Sequence, residues 1–344
     1  MNTTTTTTPA TANGHRPPGS GQPARRRKPL RSYLEAYAFL GLLILTFAFF
    51  SLWPKTADTF LSAANLQVLI GGSTAIAIVA LGSLVPLVCN EWDLSIGANA
   101  GLSSICVAIA LTNGVSVPVA ILIGLGVGLV VGTVNALLVT RLRVNAVITT
   151  LGVSIILAGV ITLNTHGQGV SGNMPAEFTA FGTETWLGIP GTAYALAAVT
   201  ALVYYLLCQT PYGRYLYAMG SSRSAAQLVG IRTRLILATS FVMGGALCGL
   251  GGVLLVARSG GADPRVGDLL TLPALAAAFL SAAAIKPGRY NVFGTLVAVY
   301  FLAVLNSGLS LAGAEDYITS FVNGGALIIG VALAVRLGSN QRTT

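Results

Sequence analysis

Apolar runs follow one another along almost the whole chain, each close to the length that a bilayer demands. They fall near residues 35–53, 66–89, 94–112, 116–140, 146–163, 191–208, 235–257, 269–285, 291–311 and 319–337. A helix rises about 1.5 Å per residue, so about 20 apolar residues cross a hydrocarbon core. The pattern predicts an all-α fold: a polytopic transmembrane helical bundle of about ten spans. The shorter runs suit tilted, kinked or re-entrant helices sheltered by protein. Residues 1–31 break the pattern, being rich in Thr, Pro, Gly and Arg with almost no large apolar side chains. Such a segment buries too little surface to offset chain entropy and is expected to be disordered. It lacks the compact apolar run and small-residue cleavage site of a signal peptide. The organisation is then a basic tail over 1–32, a transmembrane domain over 33–338 and a short tail over 339–344.

Between the runs, charge alternates in sign, except that the gap around Asn90–Asp93 carries Glu91 and Asp93 and no basic residue. Arg16, Arg25, Arg26, Arg27, Lys28 and Arg31 precede the first run. Arg141, Arg143, Arg214, Arg223, Arg232, Arg234, Lys286, Arg289, Arg336 and Arg342 occupy alternate gaps and the end of the chain. Asp58, Glu177, Glu184, Asp263, Asp268, Glu315 and Asp316 occupy the other gaps, with only Lys55, Arg258 and Arg265 among them. Lysine and arginine bias sets orientation, which predicts both termini in the cytoplasm. Composition agrees: 54% of residues are apolar and 8% charged, against about 25% charged in soluble domains. The net charge of +9 is an orientation signal rather than a nucleic-acid groove, because no aromatics interleave with the basic tail as stacking would require.

Little in the chain suggests covalent chemistry. There is no phosphate-binding GxxxxGK[ST] loop, no HExxH and no GxSxG, so the chain is expected to carry no ATPase, metal or cofactor site of its own. Cys89, Cys106, Cys208 and Cys248 are scattered along apolar runs and read as packing residues. Small residues recur every four positions at Gly124, Gly128 and Gly132, and again at Gly245 and Gly249. Such faces let helices approach closely in lipid. Nearly all ionisable groups avoid the apolar runs, which disfavours a proton- or sodium-coupled carrier.

Two polar features stand out. Asn90-Glu91-Trp92-Asp93-Leu94-Ser95 lies between two strongly apolar runs. It reads either as a turn with a capping Asp or Ser, or as irregular backbone lining a solute path at membrane depth. Thr210–Arg234 is long for a connector, and its second part, Ser224–Ile231, reads as a short amphipathic helix ended by Gly230.

This second segment resembles the cytoplasmic loop of ribose-type ABC permeases, roughly GRxxYAxGxNxxAAxLSGI. Gly213, Arg214, Tyr217, Ala218, Gly220, Ala225, Ala226, Leu228, Gly230 and Ile231 match that pattern. Asp93-Leu94-Ser95 with Gly97 is similar to the family's GGIDLSVG, Asn135 with Thr150-Leu151-Gly152 to its NGxLVxxLRxxxFIxTLG, and Asn306-Ser307-Gly308-Leu309 to its late NGL motif. The matches run in order from about 65 to 337. The departures are Ser222 for the family's Asn, Asn90-Glu91 for its Gly-Gly, and Ser281–Arg289 in place of its GGTSxxGGxG.

The resemblance implies the membrane-spanning permease of an ATP-driven importer, moving a monosaccharide or related small polar solute by alternating access. Implied partners are a second permease subunit, two cytoplasmic ATPase subunits or domains and an extracytoplasmic solute-binding protein. Asp93, Ser95, Asn99, Asn135 and Asn306 are expected along the substrate path. Gly213, Arg214, Gly220, Ser224, Ala225, Ala226, Leu228, Gly230 and Ile231 are expected to couple to the ATPase, the two alanines being small because a partner comes close. Rival readings are a permease of the same superfamily for branched-chain amino acids or nucleosides, and an ion-coupled secondary carrier.

Overall fold

The computed structural model describes residues 30–340 together with Thr3. Fourteen α-helices follow in order: α1 (Leu30–Leu52), α2 (Ala57–Phe60), α3 (Ala63–Val88), α4 (Ile96–Thr112), α5 (Val117–Thr140), α6 (Ala146–Thr165), α7 (Ala176–Thr183), α8 (Gly191–Tyr204), α9 (Pro211–Ser221), α10 (Arg223–Leu228), α11 (Thr233–Ser259), α12 (Val266–Leu280), α13 (Val292–Leu311) and α14 (Asp316–Asn340). Each of the ten apolar runs holds one of these helices. Among the described residues, eight stretches are long and apolar enough to cross a membrane, and the apolar parts of α1 (Tyr37–Leu52) and α4 are shorter. The disordered tail expected over 1–32 lies outside the described residues except at its end, where α1 has already begun at Leu30. At the other end α14 runs two residues past the expected boundary, to Asn340, and 341–344 lie outside the described residues.

The most deeply packed spans are α3 and α11, with α12 next to them, while α5, α6 and α14 turn much of their surface outward. Glycine explains how α5 and α11 meet. A Cβ on Gly245 would stand 2.5 Å from the Gly128 carbonyl oxygen, one on Gly249 2.6 Å from that of Gly124, and one on Gly132 2.5 Å from that of Phe241. The two backbones therefore touch directly, the close approach that the four-residue spacing predicts.

The loops segregate to two ends. At one, Arg223 Nη1 pairs with Glu91 Oε1 at 2.9 Å, Tyr217 Oη donates to the Tyr290 carbonyl at 2.8 Å, and the Arg289 guanidinium lies 4.5 Å from the Tyr217 ring centre. These contacts draw together the turn after α3, the α9–α10 segment and the α12–α13 loop, the last two of which carry basic gaps. At the other end Val170–Ser171 pairs antiparallel with Gly261–Ala262, and Thr185–Trp186 with Ile189–Pro190. That end carries α7 and most of the acidic loop residues. α8 runs into a π-helical turn over Tyr205–Gln209 before Pro211 opens α9.

Candidate functional site

The turn between α3 and α4 is sealed inside the bundle. Asp93, Ser95, Asn99 and Asn135 are all buried. Asp93 Oδ1 accepts from the Ser95 amide at 2.8 Å and from Ser95 Oγ at 2.6 Å. Asn135 of α5 donates to Ser95 Oγ at 2.8 Å, and Asn99 donates to the Gly245 carbonyl of α11 at 3.2 Å. Thr150 of α6 accepts from the Leu94 amide at 3.0 Å. Burial pushes the Asp93 carboxyl above the usual carboxylate range, while its two hydrogen bonds from Ser95 pull the other way. Asn99 Oδ1 and Asn135 Oδ1 lack partners among the described residues.

These four residues were expected along the substrate path, and their surroundings differ from that expectation. Asn135 ties the α3–α4 turn to α5 and Asn99 ties the start of α4 to α11, while Thr150 holds the turn to α6 through the Leu94 amide; none of the four lines the cavities at the basic end or the cavity among α3, α12, α13 and α14. The reason is steric: Gly97 and Gly101 let α12 come against α4 at Gly267, and this closes the turn from one side.

Asn306 is placed differently. It lines a cavity of about 480 Å³ among α3, α12, α13 and α14, with Ser73, Thr319, Ser320, Asn323 and Asp316. Asn306 Nδ2 approaches Asn323 Oδ1 at 3.4 Å, and Asn306 Oδ1 has no partner among the described residues. Pro273 of α12 also lines the cavity. Having no N–H, it frees the Leu269 carbonyl one turn earlier from its helical bond. The sequence held a signal for this site in Asp316, Ser320 and Asn323, which are spaced to share a face of one helix.

The α9–α10 segment splits the motif residues into two groups. A Cβ on Gly213 would strike the Leu207 backbone, and one on Gly220 the Val88 carbonyl, so both glycines are needed where α9 meets its own chain. Ala226 is buried against the bundle core, and Ile231 is half-buried there. The expectation that Ala226 stays small for a partner is therefore corrected: its methyl faces this chain, because α10 lies flat on the end of the bundle. Arg214, Ser224, Ala225, Leu228 and Gly230 are exposed, as is Val229. Leu228 and Val229 show 88% and 77% of their surface to solvent. Gly230 takes φ +82°, and its amide donates to Gln227 while Ile231 donates back to Ala226, the paired bonds of a left-handed glycine cap. Ser222 Oγ caps the other end by accepting from the Ala225 amide at 3.3 Å.

Comparison with known proteins meets this geometry directly. A family described as branched-chain amino acid transport system / permease component matches residues 65–331. The chain belongs to this permease family. The match begins in α3 and ends in α14, so it includes the buried turn, the cavity and the α9–α10 segment. The permease is 32% identical over 296 residues to the ribose import permease protein RbsC of Bacillus subtilis (strain 168), covering 86% of this chain and 91% of that protein. It is 30% identical over 301 residues to the ribose import permease protein RbsC of Escherichia coli (strain K12), with 87% and 92% covered. Against the autoinducer 2 import system permease protein LsrC of Salmonella typhimurium it is 28% identical over 320 residues, with 92% and 90% covered. It is thus an all-helical, multi-pass membrane protein and the permease component of an ATP-binding-cassette importer.

Proposed function

We propose that this permease carries a small neutral polyhydroxylated solute of the monosaccharide class by alternating access, along a path that includes the cavity among α3, α12, α13 and α14. The observation that carries the reading is the lining of that cavity. Ser73, Asn306, Thr319, Ser320 and Asn323 offer hydroxyl and amide groups that both donate and accept, and no Lys or Arg lines it among the described residues. Sugar hydroxyls match such a set. An amino acid would bring a carboxylate, for which a cation is the usual partner, and Asp316 in the lining at the start of α14 would repel it. The nearly full-length similarity to two ribose import permeases favours the same solute class over the amino acids in the family description.

The power comes from outside the chain. With no nucleotide-phosphate loop in the sequence, ATP hydrolysis belongs to two cytoplasmic ATPase subunits or domains facing the basic end. Ala225, Leu228 and Val229 are the docking tip, since exposed apolar side chains on a short helix fit a partner's groove. A push on the α9–α10 segment reaches the end of α3 through the Arg223–Glu91 pair of α10 and the close seat of Gly220 of α9 against Val88. Both lie at the end of α3, so α3 and the sealed Asp93 turn move as one body. A second permease subunit completes the path against α14, whose Tyr317, Phe321, Ile328 and Ile329 are exposed. A solute-binding protein delivers the cargo at the acidic end.

Asn323→Leu tests the path. It removes two polar groups and adds apolar bulk in the cavity, and uptake of labelled monosaccharide by the assembled importer is expected to fall about tenfold, with the permease still in the membrane and ATPase co-purification intact. Unchanged uptake would place the path elsewhere.

A further inference from the structure

We propose that a second cavity at the basic end, between the α5–α6 turn and α10–α11, is a binding site for the phosphate headgroup of an anionic phospholipid. The cavity holds about 550 Å³ and is lined by Arg143, Arg223, Arg234, Glu91, Gln227 and Asn145, among others. Three guanidiniums face one carboxylate, and that carboxylate is already taken by Arg223 at 2.9 Å. The side chains of Arg143 and Arg234 make no hydrogen bond or ion pair among the described residues, so the cavity keeps two uncompensated cations. Arg143 is held there by a left-handed backbone, φ 56°, which is uncommon for a side-chain-bearing residue and fixes the direction of its stem. The N-terminal ends of α6 and α11 also open on this cavity through Ala146 and Thr233 and add their positive dipole ends.

Exposed apolar residues decide between a lipid and a soluble anion. Leu142 and Leu235 adjoin Arg143 and Arg234 in the chain and are 67% and 54% exposed. Ile148, Leu151 and Ile155 follow along α6 from the end that lines the cavity and are exposed as well. A diacyl lipid fits this arrangement, with its phosphate between Arg143 and Arg234 and its chains along α6. A free phosphate would leave the apolar strip unused. A site between spans at the basic end is also where anionic headgroups are recognised by arginine clusters. Because Arg223 and Gln227 belong to α10, a bound lipid would bear on the same helix as the ATPase.

Native mass spectrometry of the purified full-length permease in detergent, titrated with phosphatidylglycerol or with phosphatidylcholine of the same acyl chains, tests this. Retention of phosphatidylglycerol over phosphatidylcholine is expected. It should weaken about fivefold for each of Arg143→Gln and Arg234→Gln, by the usual contribution of one basic residue near an anionic surface. Lys286→Gln, an exposed change outside the cavity, should leave retention unchanged, and circular dichroism should show all variants folded. Equal retention by wild type and the double variant would overturn the site. So would displacement of the lipid by inorganic phosphate at matched concentration, which marks a free-anion site. Normal retention with loss of ATPase co-purification would reassign the arginines to a subunit contact. None of these readouts requires transport, so they stand apart from the solute assignment.

Discussion

Leu228→Asp is expected to lower ATP-driven uptake at least about tenfold, the effect of losing a side chain at the centre of an interface, while the permease stays folded. Leu228 stands almost wholly outside the bundle at the last turn of α10. Its substitution removes no packing inside this chain. A carboxylate at the tip would have to be desolvated on entering the ATPase groove, and docking would be lost before any effect on the span region. The informative contrast is Ala226→Trp two residues earlier. Ala226 is buried against the core, so a tryptophan there must lift α10 off the bundle, and both uptake and thermal stability should fall. Measuring uptake, ATPase co-purification and melting temperature for the two variants separates docking from packing. If Leu228→Asp transports normally with its ATPase attached, the tip is not the contact.

The largest stability effect is expected at the α5–α11 crossing. Gly245→Leu puts a side chain where the Gly128 backbone already lies, and a Cβ alone comes within 2.5 Å of its carbonyl oxygen. Backbone cannot yield as a flexible side chain can, so the helices must separate along their length. Overpacking of this kind costs about 3 kcal/mol or more, and it would also pull the Gly245 carbonyl from Asn99. The expected readout is loss of a monodisperse peak in detergent and a lowered melting temperature. Gly126→Leu on the facing helix α5 is the control, because nothing lies within 4 Å of a Cβ at Gly126. Similar melting temperatures for the two variants would contradict the glycine-mediated contact.

Much of the fold was legible because lipid imposes a simple rule. A segment that crosses must satisfy its backbone internally and present apolar side chains for about 20 residues, and each of the ten runs from 35–53 to 319–337 holds a helix. The glycine spacing was legible for the same reason: Gly124, Gly128 and Gly132 recur on one face and meet Gly245 and Gly249. What was not legible depends on neighbours distant in sequence. Helix α7 and the two strand pairs are built from a polar segment without periodicity, held by partners such as Ala262, some 90 residues from Val170. Asp93, Ser95, Asn99 and Asn135 were recognised as unusual polar residues, but a polar group in an apolar run signals equally a path or an internal hydrogen-bond lock. Only the approach of Gly267 to Gly97 and the bonds to α5, α6 and α11 distinguish them. Ala226 failed for a related reason: two adjacent alanines on a helix point about 100° apart, so a motif containing both leaves one facing inward.

The site followed the same division. Asn306 was visible in its motif, whereas Ser73, Thr319, Ser320 and Asn323 join it only once α3 and α14 are packed around α13. Helix α14 carries its polar groups toward the cavity and large apolar groups such as Phe321 and Ile328 on exposed surface. Exposed apolar surface of that extent suits lipid or a second subunit.

The central claim is that this permease imports a neutral polyhydroxylated solute only when driven by a partner ATPase. Proteoliposomes containing the permease, its ATPase subunits and its solute-binding protein should accumulate labelled monosaccharide when ATP is supplied at the basic face. Uptake should be competed by unlabelled sugar and unaffected by excess leucine, and it should vanish when the ATPase is omitted. Uptake of leucine in place of sugar, or sugar uptake by the permease alone under a proton or sodium gradient, would contradict the account.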